Sequence, residues 1–286
     1  NGDATLLDNT QTGLQYSDRL DIMGTGTLNI DESRQLQLIT QYYKSQGDDD
    51  YGLNLGKGFS AIRGTSTPFV SNGLNSDRIP GTERHLISLQ YSDSAFLGQE
   101  LVGQVYYRDE SLRFYPFPTV NANKQVTAFS SSQQDTDQYG MKLTLNSKPM
   151  DGWQITWGLD AEHERFTSNQ MFFDLAQASA SGGLNNKKIY TTGRYPSYDI
   201  TNLAVFLQSG YDINNLFTLN GGVRYQYTEN KIDDFIGYAQ QRQIAAGKAT
   251  SADAIPGGSV DYDNFLFNAG LLMHITERQQ AWLNFS

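Results

Sequence analysis

The stretch "FTLNGGVRYQYTEN", residues 217–230, interleaves two kinds of side chain. Phe217, Leu219, Gly221, Val223, Tyr225 and Tyr227 are apolar, aromatic or small. Thr218, Asn220, Gly222, Arg224, Gln226 and Thr228, between them, are polar or small. A period of two is that of a β-strand whose faces meet different surroundings. In a soluble sandwich the apolar face looks into a protein core. In a transmembrane barrel it looks out at lipid, and Arg224 points into a watery interior. One strand does not separate these readings, so the rest of the chain has to.

Composition removes several classes. The 286 residues are long enough for one large or two ordinary domains. Mean hydropathy is −0.51, and no run approaches the roughly 18 apolar residues of a membrane helix. That excludes helical spans only, because alternating barrel strands never produce such a run. The chain has no cysteine, which excludes a disulfide scaffold and thiolate metal sites. A net charge of −10 argues against a nucleic-acid partner, since phosphate neutralisation needs clustered Lys and Arg. The opening "NGDATLLDNT" carries no signal-peptide pattern, and "QQAWLNFS" stops inside an apparent strand, so a piece of a longer protein is expected.

The alternation recurs along the chain. It predicts strands at residues 20–30, 36–44, 84–91, 101–107, 139–145, 153–162, 200–211, 217–228 and 265–273, with another starting at Ala281. Residues 200–211 are ambiguous in phase, because both faces of "LAVFL" are apolar. A short helix is expected at "GYAQQRQIAAG". Turns of roughly four to seven residues alternate with stretches of roughly 25 to 40, and compact soluble domains seldom hold several structureless loops that long. Outer-membrane barrels do, with short periplasmic turns and long extracellular loops. If the long side is outside, Tyr42, Tyr107, Tyr139 and Tyr227 lie at the outer ends of the apolar faces. Tyr91, Trp153, Tyr211 and Phe217 lie at the inner ends, completing a second aromatic belt. The fold class expected is all-β, an antiparallel transmembrane β-barrel segment.

The run "AVFLQSGYDINNLFTLNGGVRYQYTEN" also resembles a strand–turn–strand unit of the TonB-dependent outer-membrane siderophore receptors. "GLQYSDRLDIMGTGTLNIDESRQLQLITQYYKSQGDDDYGLN" is similar to the early barrel of the same family, and "AWLNFS" to the start of a later strand. The resemblance implies a barrel of roughly 22 strands closed by an N-terminal plug, of which this chain supplies about ten strands. Residues 1–286 would then be part of one barrel domain, with the plug and the C-terminal strands absent. It further implies a place in the outer membrane of a Gram-negative cell, surrounded by lipid and lipopolysaccharide. The implied cargo is a ferric siderophore, an anionic iron complex of a citrate-hydroxamate. Energy would come from the TonB system acting through an N-terminal region outside this chain. Bacteriocins or phage that exploit the receptor are further partners the resemblance allows. No resident cofactor is expected, because the iron arrives already ligated, and no enzyme activity is expected.

Other motifs carry little chemistry. "GLNLGKG" lacks the spacing and the Ser/Thr of a phosphate loop, and "GTGT" lies within a strand. In "EHE", residues 162–164, strand phase puts His163 outward and both carboxylates inward, so the three do not converge on a metal. "GDDDY" lacks the spaced ligands of a calcium loop. His85, His163 and His274 sit in no nucleophile pattern, which disfavours an outer-membrane hydrolase. A passive porin is the other alternative; it would use loops folded around a charged constriction, whereas these are long and rich in aromatics.

An anionic iron complex calls for cations and aromatic walls that exclude water. "YYRDESLRFYPFP" offers Arg108, Arg113, Phe114, Tyr115 and Phe117 where a strand enters its loop. Arg84 begins the adjacent strand, Arg165 leaves the top of the sixth, and "GRYPSY" adds Arg194 and Tyr195. These nine residues are the candidate ligand site, with Arg113 at its centre. Arg224 belongs lower, paired with carboxylates of the barrel or plug.

Overall fold

The computed structural model describes residues 2–9, 16–48, 80–114, 116–123, 125–181, 183 and 185–286. Tyr115, Pro68, most of "GDDDY" and the whole of "GLNLGKG" lie outside the described residues. The strands are β1 (Gly2–Asn9), β2 (Tyr16–Asn29), β3 (Arg34–Asp48), β4 (Gly81–Phe96), β5 (Gln99–Arg113), β6 (Phe117–Val120), β7 (Val126–Met150) and β8 (Trp153–Phe173). They continue as β9 (Lys188–Gly193), β10 (Tyr198–Asp212), β11 (Phe217–Ile232), β12 (Phe235–Ile236), β13 (Ala254–Ile255), β14 (Gly258–Thr276) and β15 (Gln279–Phe285). Among the described residues two short helices accompany them, α1 (Leu175–Ala180) and α2 (Tyr238–Ala245).

One antiparallel sheet runs in the order β1-β2-β3-β4-β5-β7-β8-β10-β11-β14-β15, and β6 and β9 join the outer ends of β7 and β8. Neighbours in the sheet follow chain order, as expected of an up-and-down meander. Every strand expected from the alternation is present. β1 is an addition; its backbone pairs with β2 from Gly2 opposite Gly24 to Asn9 opposite Ser17.

The turns on one side are tight for identifiable reasons. Between β4 and β5, Leu97 (φ 50°) and Gly98 (φ 77°) both take the left-handed conformation of a two-residue hairpin loop. Between β2 and β3, Asp31 accepts from the Ser33 and Arg34 amides at 2.9 and 2.8 Å. The Arg34 guanidinium, ahead of the Ser33 amide, holds the Asp31 carboxyl well below the usual carboxylate range. Between β10 and β11, Asn214 accepts from the amides of Leu216 and Phe217. Such side-chain-to-backbone bonds reverse the chain in the fewest residues.

Burial is inverted relative to a soluble protein. On β10, Leu203, Val205 and Leu207 are 46, 54 and 47% exposed, while Ala204 between them is 5% exposed. That settles the ambiguous "LAVFL" phase. Leu143, Leu159 and Val205 stand in register across β7, β8 and β10, with Val223 and Leu271 on the same face of the sheet. The opposite face is polar. Arg224 donates to Asp160 Oδ2 at 2.7 Å across the small Ala204, and Lys142 and Asn268 share that face. An exposed apolar band outside a polar interior is the arrangement of a barrel wall in lipid. Among the described residues no helix is long and apolar enough to cross a membrane.

Two aromatic belts border the band. At one level Tyr107 lies opposite Tyr139, Tyr139 packs on His163 at 5.0 Å, and Tyr42 packs on His85 at 4.9 Å. At the other, Trp153 meets Tyr211 edge-on at 6.4 Å and donates to Ser209 Oγ.

β7 and β8, of 25 and 21 residues, far exceed the roughly 9 to 11 that a bilayer-crossing strand needs. Their outer parts continue into stretches the alternation assigned to loops. There Phe129, Phe173 and Ala178 form a small buried cluster under α1, joined by Met171 and Leu175, while Phe172 is buried on the other face. With both faces covered, the period-two signal disappears, and the expected strand ends fell short.

Placed in a closed barrel containing this sheet, Val223→Arg should cost about 2 to 4 kcal/mol near the midplane, whereas Arg224→Val should still insert. Heat-modifiable gel mobility after refolding into vesicles measures this, and equal folding yields would contradict the assigned faces. Among the described residues of the chain 1–286, the sheet ends in unpaired edges at β1 and β15. The chain alone should aggregate rather than form a pore, and discrete single-channel conductance from it would overturn the open-edge argument.

Candidate functional site

The sheet sorts the predicted site residues onto its two faces. Arg84 and Arg108 are on the polar face with Arg224. Arg84 donates to Glu110 Oε2 at 2.6 Å and lies 5.7 Å from the Tyr43 ring, which Arg19 approaches from 5.0 Å. Arg108, two residues below Glu110 on β5, has a buried Nε without a hydrogen-bond partner. Below it, Tyr106 donates to Glu162 Oε2 at 2.5 Å and lies over Gly140, where an added Cβ would stand 2.7 Å from the ring. Only glycine admits that tyrosine.

Arg113 and Arg165 lie on the opposite phase. Arg113 is in register with Gly81 and Gln133 and has Glu83 at 3.5 Å. Arg165 is held by Asp199 at 2.6 Å and Asp233 at 3.0 Å. The compact wall centred on Arg113 is therefore not what the sheet assembles. Phe114 and Phe117 are 40 and 38% exposed at the β5–β6 junction, beside the fully buried Pro116. Tyr115 lies outside the described residues.

A basic-aromatic cluster does exist, around Arg194. Its guanidinium donates to the buried Gln170 at 2.6 Å and stands 5.2 Å from the Tyr195 ring. Next to it, Phe172 packs on Tyr190 at 4.8 Å and on Tyr238 at 5.9 Å. Arg242 lies over Phe172 at 4.9 Å and over Tyr238 at 5.9 Å, and its buried Nε lacks a hydrogen-bond partner. Burial pushes the Tyr238 hydroxyl up, while Arg242 and Arg194 both pull it down, so both cations act on one ring. Helix α2 is fixed there by Gln241, which accepts from the Gly193 amide at 2.7 Å and donates to the Ile236 carbonyl at 2.6 Å. Phe172 and Gln170 share the phase of Arg224, so the cluster stands above the polar face.

Tyr238 and Arg242 were legible in principle. They are four apart on the predicted helix, hence on one side of it. A neighbouring cleft of about 740 Å³, lined by Thr167, Thr192, Tyr195, Phe235 and Gln241, has Asp233 and Asp234 in its wall. Those carboxylates make it unfavourable for an anion.

The histidines are partnered. His163 Nδ1 is 3.0 Å from Thr201 Oγ1 and its Nε2 is 3.3 Å from Asp199. This alignment has the order of a hydroxyl–imidazole–carboxylate relay, yet the strand amides around it are engaged in the ladder. It lacks the pair of free donors that an acyl-transfer oxyanion needs. His85 lies 3.6 Å from Glu83, and His274 contacts Thr218 and Gln280. Glu162 and His163 lie on opposite faces, and no metal-binding cluster occurs among the described residues.

Comparison with known proteins matches this architecture. Over all 286 residues the chain is 99% identical to the ferric aerobactin receptor of Klebsiella pneumoniae and 95% identical to that of Escherichia coli. It spans 39% of the length of each. Among solved structures, the copper transporter OprC superposes with a TM-score of 0.65 at 12% identity, over 99% of this chain and 39% of that one, a likeness of fold alone. Residues 22–286 match the family model for the TonB-dependent receptor-like β-barrel. The lipid-facing apolar band, the polar inner face and this match agree, and the chain belongs to the TonB-dependent receptor β-barrel family.

Proposed function

We propose that this chain is part of a Gram-negative outer-membrane receptor that imports a ferric siderophore, ferric aerobactin, with energy supplied through TonB. The observation that carries this reading is the 99% identity, over the full 286 residues, to a ferric aerobactin receptor. The basic-aromatic cluster above the polar face supports a reading of where such a cargo meets these residues. An anionic complex entering from the long-loop side meets the Arg194–Arg242 cluster first. Planar guanidiniums hold carboxylates through paired hydrogen bonds, and Phe172, Tyr190 and Tyr238 exclude the water that would weaken them. Phe114 and Phe117 extend the apolar wall from the β5 side. Deeper, Arg108 and Arg84 continue the cationic track along the polar face toward Arg224.

Nothing in this sequence of contacts makes or breaks a covalent bond. The iron enters already coordinated by its siderophore, so the wall needs charge and shape rather than first-sphere ligands. Release inward is assigned to a plug moved by the TonB system.

Replacing Arg242 or Arg194 with Ala should weaken ferric aerobactin binding by roughly 1.5 to 3 kcal/mol each, for loss of a charged hydrogen bond. Lysine should restore only part, because an ammonium lacks the planar fork. Arg113→Ala, on the opposite phase, should leave affinity unchanged. The assay is binding to full-length receptor variants at matched surface expression. Unchanged affinity for both Ala variants would move the contact to Arg84 and Arg108. Full affinity with a catecholate complex in place of aerobactin would overturn the cargo itself.

A further inference from the structure

Arg34, Arg84, Arg113, Arg165 and Arg224 each reach a carboxylate. Arg194 is held differently. Its Nη1 donates to Oε1 of Gln170 at 2.6 Å, and among the described residues it has no carboxylate partner. Gln170 is itself fixed. It is 0% exposed, stands in register with Ser132 of β7 and Thr192 of β9, and donates from Nε2 to the equally buried Ser130 Oγ at 2.8 Å. A guanidinium only donates, so the amide oxygen has to face Arg194 and the amide nitrogen Ser130. The backbone of Arg194 is tied to the same strand, its amide donating to the Ser168 carbonyl at 3.0 Å. Arg194 is therefore clamped to β8 at two points, with the Tyr195 ring 5.2 Å from its guanidinium.

We propose that Gln170 is a positioning residue for cargo recognition: it fixes the Arg194 guanidinium through a neutral acceptor and leaves its full positive charge for an anionic iron complex. The inference rests on the reading that such a complex meets Arg194. A carboxylate at position 170 would hold the guanidinium more strongly, as Glu110 holds Arg84, but would cancel the charge an anion needs. An apolar side chain would keep the charge and lose the hold, so the cation would have to be ordered at the moment of binding. The amide avoids both costs. It accepts from one N–H and leaves the other guanidinium donors open. Its own rotamer is locked by burial and by Ser130, so the orientation exists before the cargo arrives.

The test measures ferric aerobactin affinity on full-length receptor variants at matched surface expression, with heat-modifiable mobility as the check of folding. Gln170→Glu keeps size and hydrogen bond but cancels the charge, so it should weaken binding about tenfold to a hundredfold, as Arg194→Ala does. It should also flatten the dependence of Kd on salt. Gln170→Met, of similar length but without an acceptor, should weaken binding about threefold to tenfold, for the ordering that Arg194 then needs. It carries the test if the Glu variant fails to fold. In an Arg194→Ala background Gln170→Met should cost nothing further, because Gln170 acts through that guanidinium, whereas a packing role would cost affinity in either background. Weak binding by Arg194→Ala with full affinity in both Gln170 variants, or the same loss from Gln170→Met in both backgrounds, would overturn this inference alone. Full affinity in Arg194→Ala would overturn it together with the placement of the cargo at Arg194.

Discussion

A peptide group placed in hydrocarbon finds no water to bond, and leaving its N–H or C=O unpaired costs several kcal/mol. A membrane-crossing chain without long apolar helices therefore has to pair every strand with a neighbour. The consecutive antiparallel order of this sheet answers that demand, and the remaining architecture depends on it. Paired strands can be joined at one side by the tight turns at Leu97–Gly98, Asp31 and Asn214. They are also free to differ in length on the other side, which is where β7 and β8 rise beyond the bilayer. The edges at β1 and β15 show the same rule from its unsatisfied side.

Within the membrane the pleat divides labour residue by residue. On β11, Val223 and Arg224 are covalent neighbours in different solvents. Arg224 is held by Asp160 on a strand two places away, and the intervening Ala204 is small enough to let them meet. A polar pair at this depth is tolerable because its side chains remain 34 and 29% exposed to the interior. Among the described residues the outward face has no such pairs until the aromatic belt, where Asp199 contacts both His163 and Arg165.

That division explains how much of the molecule was legible in the residues. Period-two alternation revealed the phase of β11, β7 and β8 inside the bilayer, because lipid on one side and water on the other write it into the side chains. Outside the bilayer the cause vanishes. Phe172 and Phe173 are adjacent and both buried, one beneath α2 and the other beneath α1, so no alternation marks the outer end of β8. The site suffered from the same loss. Arg113 is conspicuous in "RFYPFP", but its strand phase turns it toward Glu83 on the outward face. Arg84 and Arg108 have the even phase of β4 and β5 and could be assigned inward from parity alone. Tyr43 follows by the same parity from Tyr42. Arg242 is separated from Phe172 by 70 positions in the chain, and its contact depends on where α2 folds back, which no local pattern contains.

In this acidic chain, cations on both faces are held by carboxylates, Arg84 and Arg224 on the inward one by Glu110 and Asp160. Cations on the outward phase, Arg113 and Arg165, have carboxylate partners within 3.5 Å or less, so their fields are largely cancelled. Three guanidiniums nevertheless keep a buried Nε without a hydrogen-bond partner, those of Arg113 on the outward phase, Arg108 on the inward phase and Arg242 on α2. A buried donor left open costs free energy unless something arrives to accept from it. Arg113 also has Glu83 at 3.5 Å, whereas Arg108 and Arg242 have no ion-pair partner among the described residues. Under the proposed reading, an anion that reaches Arg108 or Arg242 relieves a cost of that kind.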